Sequence, residues 1–423
     1  MNTSIIPNST TLLSAKAKSR WLDKLAKQGL LSRLQHINHG YLTIYDESEV
    51  YHFGNPQCTS QLSATVTVKS KRFYSAVTFG GSTGAGEAYF NNYWDCDKLT
   101  ELVQILLQNQ DVLDNMDESL VRLKIPIYKA LHWLNRNTRE GSRRNISAHY
   151  DLGNDFFKLF LDSNMMYSSA IYPNAESDLE QASRYKLDSI CKKLQLSDAD
   201  HVLEIGTGWG GFALHAAQNY GCKVTTTTIS QEQFELATQR VKEAGLQDKI
   251  TVLFSDYRDL TGCYDKIVSI EMIEAIGHQY INTYFQKCSD LLSADGMMLI
   301  QAITIADQRY KAALKEVDFI KRYIFPGCFI PSVTAMQNAV TESSDMRMAN
   351  LEDIGPHYAR TLHDWRLRFF NALSDVKALG YSQEFIKLWE FYLCYCEGGF
   401  KERVISNVHL TFVKPENRAH FPV

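Results

Sequence analysis

The sequence predicts an α/β protein with a doubly wound, mostly parallel sheet, preceded by a smaller α+β domain. The first observation is a short apolar run at 202–205 that leads directly into a glycine-rich stretch at 206–211. The second is a series of further apolar or β-branched runs, at 222–229, 250–254, 264–270 and 296–301. Strands that alternate with helical stretches are typical of a parallel sheet, whose ligands bind at the carboxyl ends of the strands.

Composition bounds the class of protein. A chain of 423 residues suggests two domains, and 45% hydrophobic with 22% charged residues is typical of a globular protein. The net charge of -4 gives no overall attraction to nucleic acid, so any contact with a membrane needs a local patch. Nine cysteines without a C-x-x-C pair favour reduced thiols in the cytoplasm over disulfides, and no metal site is predicted.

The N-terminus lacks the basic-then-apolar order of a signal peptide, and no apolar run approaches the roughly 20 residues that cross a bilayer. Residues 14–37 predict an amphipathic helix with a basic surface. Such a helix can lie in a membrane interface, or it can be a docked helix with a solvated basic face. Both interpretations remain open.

Short alternating runs at 41–45, 64–68 and 73–79 predict a small antiparallel unit, and the glycines of 80–86 predict a turn. A helix is predicted at 99–108. We therefore expect an N-terminal domain at 1–135, which offers a surface for membrane or dimer contact. A polar, basic linker follows at 136–145, and the catalytic domain at 146–423.

The glycine-rich stretch distinguishes between two nucleotide-like cofactors. A dinucleotide fingerprint spaces its glycines as G-x-G-x-x-G. Here Glu204 precedes Gly206, Gly208 and Gly210, and this E-x-G-x-G-x-G order resembles the first motif of class I methyltransferases that use S-adenosylmethionine. An ordinary strand-turn-helix connection is the simpler alternative, because a glycine pattern alone is a weak signal.

A wider resemblance covers roughly 140–415. The runs that carry it lie at 149–157, 167–170, 203–211, 229–233, 256–259 and 323–332. Together they look like cyclopropane-fatty-acyl-phospholipid synthase and its mycolic-acid relatives. The resemblance implies a Rossmann-like class I methyltransferase that moves the methyl group of S-adenosylmethionine to the cis double bond of an unsaturated phospholipid acyl chain, forming a cyclopropane. Two alternatives are a fatty-acyl C-methyltransferase with a methyl-branched or methylated unsaturated product, and a non-catalytic lipid-binding relative.

The resemblance also implies which residues bind the cofactor. They are Tyr167, Ser168, Glu204, Gly206, Gly208, Gly210, Thr228, Gln233, Tyr257 and Arg258. Gln233 is expected near the ribose, and the side chains at 257 and 258 are expected beside the adenine. Gln233 has a second interpretation as the N3 residue of a capping box that begins at Ser230.

For the base that removes a proton, the resemblance implies a bound bicarbonate. Its pocket would comprise Ser169, Glu274, Gln301, the backbone at Ile303, and Tyr392. Glu274 and Gln301 are expected just past their strands, although Glu274 could instead be a carboxylate favoured at a helix start. The family commonly has cysteine at 169, histidine at 301, and His-Val-Gly where 275–278 reads Ala-Ile-Gly-His. Serine and glutamine can hydrogen-bond an anion but do not titrate near neutral pH.

Beyond the sheet, helices are predicted at 306–322, 362–379 and 384–403, where they would cover an acyl tunnel. The run 408–413 predicts the antiparallel edge strand usual in this methyltransferase class. The expected partners are an unsaturated phospholipid and the membrane surface, with a homodimer left open. The expected location is the cytoplasm, with peripheral membrane association.

Overall fold

The computed structural model describes residues 9–56, 61–110 and 152–420. The chain forms two compact units, Met1–Tyr128 with Ser382–Gly398, and Lys129–Tyr381 with Gly399–Val423. The domains expected from the sequence, 1–135 and 146–423, stay a prediction; the first compact unit also includes Ser382–Gly398, which lies within the expected catalytic domain. The predicted linker at 136–145 and the start of the run 149–157 lie outside the described residues.

The first unit contains a four-stranded mixed sheet in the order β2-β1-β3-β4. Its strands are β1 (Tyr41–Asp46), β2 (Glu49–Gly54), β3 (Ser63–Val68) and β4 (Trp94–Cys96). The pairs β1–β2 and β3–β4 are antiparallel, but β1 and β3 are parallel, so the prediction of a wholly antiparallel unit is wrong.

The helices α1 (Ser9–Leu34), α2 (Arg72–Phe90) and α3 (Leu99–Gln108) accompany this sheet in the ranges 9–56 and 61–110. The helix predicted at 99–108 is confirmed, but the strand predicted at 73–79 is wrong, because α2 covers it. Tyr74 and Thr78 are buried one turn apart, so packing overrides the β propensity of the run. The turn predicted at 80–86 is also wrong, since α2 continues through it with only a kink at Gly81 (φ 52°, ψ -139°).

The second unit contains the predicted mostly parallel sheet. Its strands are β5 (His201–Ile205), β6 (Lys223–Thr228), β7 (Ile250–Phe254), β8 (Tyr264–Ile270), β9 (Leu292–Ile305), β10 (Arg347–Asp353) and β11 (Ile405–Val413). Their order is β10-β11-β9-β8-β5-β6-β7. The last strand is antiparallel to β9 as predicted, but it is not the edge, because β10 pairs with its outer side.

The helices of the second unit flank the sheet. They are α4 (Asn154–Lys158), α5 (Leu179–Lys193), α6 (Gly211–Tyr220), α7 (Gln231–Glu243), α8 (Ile281–Leu291), α9 (Asp307–Ala313), α10 (Val333–Ser343), α11 (Gly355–Asn371) and α12 (Leu373–Ala378). A longer helix, α13 (Gln383–Lys401), begins in the first unit. The helices predicted at 306–322 and 362–379 are each divided in two, the former by a break before a π-helical turn at Ile320–Ile324.

The core of the second unit lies on both faces of the sheet. Alternate strand residues point to opposite faces, so Ile267 and Met298 pack with α8 and α10, whereas Val268 and Leu299 pack with α5 and α6. The central strands are thereby buried on both sides. Their carboxyl ends, where the chain leaves the sheet, are left to form a site.

Candidate active site

The glycine turn follows β5. Gly206 and Thr207 each donate a backbone hydrogen bond to the carbonyl of Thr227, at 3.1 and 3.0 Å, which fixes the turn against the end of β6. Gly208 and Gly210 have φ values of 51° and 84°, in the left-handed region that favours glycine. Helix α6 begins at the next residue, and its N-cap has no side-chain hydrogen bond. Its first N–H groups are therefore available to a polar ligand.

The turn fits a cofactor. A Cβ added to Gly208 would meet nothing within 4 Å, so the space in front of the turn is open. The Glu204 side chain is buried and accepts a hydrogen bond from the Thr226 hydroxyl at 2.6 Å. Burial raises the pKa of Glu204 to about 8, which keeps the carboxyl neutral at pH 7. Glu204 thus supports the turn, and its contact with the cofactor stays a prediction.

The end of β6 leads into a capped helix. Ser230 is the N-cap of α7 and its hydroxyl accepts from the backbone of Gln233 at 3.3 Å, which confirms the predicted cap. The Gln233 side chain does not complete a capping box, since its Oε1 accepts from the Thr228 hydroxyl at 2.8 Å. Thr228 and Gln233 therefore form a buried polar pair next to the glycine turn.

The third strand ends beside this pair, because Ser255 donates its backbone N–H to the carbonyl of Thr228 at 3.1 Å. Arg258 donates to both carboxylate oxygens of Asp256, at 2.8 and 2.7 Å. Its guanidinium lies 5.5 Å from the ring centre of Tyr257, whose buried hydroxyl has no hydrogen-bond partner in the described part of the chain. An aromatic ring and a planar cation thus stand at the position expected for an adenine.

The segment before α5 supplies the remaining predicted cofactor residues. The Tyr167 ring is 5.2 Å from the rings of Phe157 and Trp365, within a buried aromatic cluster. Ser168 accepts a hydrogen bond at 2.8 Å from Lys186, whose side chain is fully buried. Burial lowers the pKa of this lysine to about 8. Lys186 had no motif to identify it in the sequence.

Glu274 lies in a short 3-10 turn, Ile273–Ala275, after β8. Its Oε1 accepts the backbone N–H of Ile303 at 2.6 Å, while its buried Oε2 has no hydrogen-bond partner among the residues that the structure describes. Burial, with the neighbouring charge of Glu271, raises the pKa of Glu274 to about 8. The structure thus brings Glu274 and Ile303 together as predicted, with the carboxyl group neutral at pH 7.

Gln301 was expected just past its strand, but it lies within β9. This strand is longer than predicted because it pairs with β11 beyond the end of β8. Its amide nitrogen donates to Glu271 Oε1 at 2.8 Å and to the carbonyl of Ser169 at 3.2 Å. Ser169 donates its backbone N–H to Glu271 Oε1 at 2.9 Å, and its hydroxyl donates to the carbonyl of Ala170 at 3.0 Å. Both predicted residues therefore converge on Glu271.

Glu271 is the functional candidate that the sequence reasoning missed. Asn407 and Tyr358 also donate to its carboxylate, at 2.5 and 2.7 Å, and burial raises its pKa. Its position directly after β8 was the available signal, since strand-end carboxylates face the ligand edge. Asn407 and Tyr358 come from β11 and α11, and only the folded chain brings them to the site. Tyr392 belongs to the first unit, and its predicted role stays a prediction.

This sheet order, with a glycine turn after its first parallel strand and an antiparallel β11, defines a class I methyltransferase that uses S-adenosylmethionine. The chain belongs to the family described as mycolic acid cyclopropane synthetase, whose sequence model matches residues 137–410. It is 35% identical to a tuberculostearic acid methyltransferase of Mycobacterium tuberculosis, over 79% of both chains. It is also 35% identical to the cyclopropane-fatty-acyl-phospholipid synthase of Escherichia coli, over 82% of this chain and 87% of that one.

Solved structures agree with this assignment. A mycolic acid cyclopropane synthase in complex with S-adenosylhomocysteine matches 64% of this chain and 98% of its own, with 29% identity and a TM-score of 0.59. A second Mycobacterium tuberculosis cyclopropane synthase has 28% identity and a TM-score of 0.60 over the same shares. The chain is therefore a methyltransferase of the cyclopropane synthase family, with S-adenosylmethionine as its cofactor.

Proposed function

We propose that the enzyme transfers the methyl group of S-adenosylmethionine to the cis double bond of an unsaturated phospholipid acyl chain and closes a cyclopropane ring. One observation carries the proposal. Met272, between the two buried carboxyl residues, lies against the glycine turn, since a Cβ on Gly206 would be 3.1 Å from its Cγ. This contact supports a site in which Glu271 can take a proton near the cofactor, while the neighbouring Glu274 carboxyl already holds one at pH 7.

The surroundings suit such a reaction. The bound cofactor supplies an electrophilic methyl group, and methylation of an alkene leaves a carbocation on the acyl chain. Phe157, Phe160 and Trp365 are fully buried around Tyr167, so this side of the site excludes water that would quench the cation. Ring faces also stabilise positive charge. Tyr358 connects this cluster to the carboxyl pair, because its ring lies 6.1 Å from Trp365 and its hydroxyl donates to Glu271.

A second candidate is transfer to the same double bond with a methyl-branched or methylated unsaturated product. Two relatives favour it by name, the tuberculostearic acid methyltransferase and a probable fatty acid methyltransferase of Pseudomonas putida, which is 36% identical over 65% of this chain. Ser169 and Gln301 also depart from the pattern that the resemblance implies for ring closure. An unsaturated product still requires proton loss, so both candidates need a base near the methyl group.

The experiment incubates purified enzyme with methyl-labelled S-adenosylmethionine and vesicles of unsaturated phospholipid, with saturated phospholipid vesicles as the control. We expect label in the lipid fraction of the unsaturated vesicles alone. Mass and NMR analysis of the released acyl chains separates the two products, since a ring leaves no olefinic carbon and shows cyclopropyl protons. Absence of label from the unsaturated lipid would contradict both candidates.

We further propose that α1 makes a peripheral contact with the membrane. Leu30 and Leu34 are buried, which supports a docked C-terminal half, whereas Leu22 and Leu25 are 43% and 45% exposed beside the exposed Lys24. Exposed leucines next to a cation suit a lipid interface. In the described residues, no helix is both long and apolar enough to span a bilayer. Replacing both leucines by serine should reduce co-sedimentation with anionic vesicles, and unchanged binding would contradict the proposal.

A further inference from the structure

Three of the groups that the resemblance assigns to bicarbonate, the Ile303 backbone, the Ser169 hydroxyl and the Gln301 amide, already donate to other protein atoms. The Ile303 backbone donates to Glu274, and the Ser169 hydroxyl donates to a carbonyl oxygen. Both hydrogens of the Gln301 amide have acceptors, in Glu271 and the Ser169 carbonyl. A bicarbonate ion needs such donors to offset the loss of its hydration. Ile303, Ser169 and Gln301, in these contacts, therefore do not fit the ion.

The side-chain amide of Gln301 cannot flip to make its N–H groups available to an ion. Its Oε1 lies 3.0 Å from Nε2 of the fully buried His409, whose Nδ1 lies 2.6 Å from the Lys193 ammonium. Because the lysine donates to Nδ1, Nε2 carries the hydrogen and donates to Gln301. A flipped amide would set two N–H groups against each other, so this chain of contacts fixes the amide toward Glu271.

The carboxylate of Glu271 accepts four hydrogen bonds, and a bound anion beside the same donors would accept such hydrogen bonds. Its Oε1 accepts from the Ser169 backbone, Gln301 and Asn407, at 2.9, 2.8 and 2.5 Å. Its Oε2 accepts from the Tyr358 hydroxyl at 2.7 Å and keeps a second lone pair. Two of these donors, at Ser169 and Gln301, belong to residues that the resemblance places around bicarbonate. A side-chain carboxylate therefore accepts hydrogen bonds from two of the residues that the resemblance assigns to the ion.

Glu271 lowers the stability of the folded protein through its backbone conformation and its buried carboxyl group. A residue with both costs is favoured where it has a function. Its φ of 48° lies in the left-handed region, where a side chain other than glycine, asparagine or aspartate is uncommon. Its carboxyl group is also fully buried, which disfavours the charged form. Strained backbone and buried charge at one residue are typical of functional sites.

We infer that the carboxylate of Glu271 replaces bicarbonate as the base of this enzyme, an inference that rests on the methyl transfer proposed above. When a C–H bond of the transferred methyl breaks, its electron pair closes the ring and the proton passes to Glu271. The carboxyl is then neutral until it returns the proton to water. The next residue, Met272, lies against the cofactor turn, since a Cβ on Gly206 would be 3.1 Å from its Cγ, so Glu271 is one residue from a contact with that turn. Glu274, with its unpartnered Oε2, lies beside this carboxylate.

The test compares the wild type with Glu271→Gly and Glu271→Gln. Glycine accepts the left-handed backbone and leaves a space of carboxylate size, whereas glutamine fills that space without a base. Calorimetric titration with sodium bicarbonate measures binding without any lipid substrate. Turnover on unsaturated vesicles is then measured in buffer stripped of carbon dioxide and again with added bicarbonate. Circular dichroism establishes that each variant is folded.

We expect no saturable bicarbonate binding to the wild type and saturable binding to Glu271→Gly. Wild-type turnover should be the same in both buffers. Glu271→Gly should lose about a hundredfold or more and recover at least about tenfold with bicarbonate, while Glu271→Gln should not recover. Saturable binding of bicarbonate to the wild type, or a fall of its turnover by more than about tenfold in stripped buffer, would overturn the inference. If no lipid is methylated at all, the proposed function fails, and the titrations still decide the question of bicarbonate.

Discussion

Replacing Glu274 by glutamine separates the chemistry of the site from its stability. The amide oxygen of glutamine can keep the hydrogen bond from Ile303, which is 2.6 Å long in the wild type. Glutamine has no acidic hydrogen, however, and cannot hold the proton that the neutral Glu274 carboxyl carries beside Glu271. We expect turnover to fall by about a hundredfold or more, while the affinity for S-adenosylmethionine stays within about twofold.

The effect of the same substitution on stability follows from the pKa of Glu274. Burial raises that pKa from 4.5 to about 8, so the folded protein holds this proton more tightly than the unfolded chain. The contribution of the protonated Glu274 to the free energy of unfolding is complete below pH 4.5 and is lost as the pH rises toward 8. At pH 7 the free energy of unfolding is lower by about 3 kcal/mol for this reason. Glutamine has no such titration. Relative to the wild type, Glu274→Gln should therefore gain about 3 kcal/mol of unfolding free energy between pH 4.5 and pH 7.

Urea denaturation at several pH values between 4.5 and 8 measures the stability, and transfer of labelled methyl groups to unsaturated vesicles measures turnover. The exposed Glu176→Gln provides a matched control that removes the same charge from the surface. A stability difference that does not change between these pH values would show that the Glu274 carboxyl is not buried and neutral. Unchanged turnover would remove Glu274 from the mechanism.

Three further substitutions test other parts of the site. Gly208→Ala should destabilise the protein by about 1 kcal/mol through its left-handed backbone and weaken S-adenosylmethionine binding at least about tenfold in calorimetry, because the methyl group projects into the open space of the turn. Tyr257→Phe should raise the free energy of unfolding by about 1 kcal/mol, since it removes a buried hydroxyl without a partner, and a loss of stability in urea would contradict this. Asn407→Ala removes a donor to the charged form of Glu271, so the acid limb of the pH–rate profile should move to higher pH. An unmoved limb would separate Glu271 from the rate.

The sequence predicted the parts of the fold that depend on local pattern. The parallel strands β5 to β9, the glycine turn and the Ser230 cap all follow from short-range signals, namely apolar runs, glycine spacing and a hydroxyl before a helix. Prediction failed where tertiary packing opposes propensity. The run at 73–79 is aromatic and β-branched, yet it is helical because its buried residues lie one helical turn apart.

The site was predictable only in part, for a related reason. Family motifs led to Glu274, Ser169 and Gln301, which the structure does bring together. The same motifs did not predict Glu271, because the resemblance assigns no role to this position. The partners of Glu271 on β11 and α11 lie 136 and 87 residues further along the chain, and short-range pattern cannot reveal contacts of that separation.

The position of β11 in the sheet has a consequence for thermal inactivation. This strand carries Asn407 and His409, and it is paired along both of its sides, with β9 and with β10. A local opening of β11 that displaced these two side chains would break its hydrogen bonds to both neighbouring strands. Interior strands open at a free energy close to that of global unfolding. Loss of turnover on heating should therefore coincide with melting of the sheet, with no cooler range in which an intact protein has a disordered reaction centre.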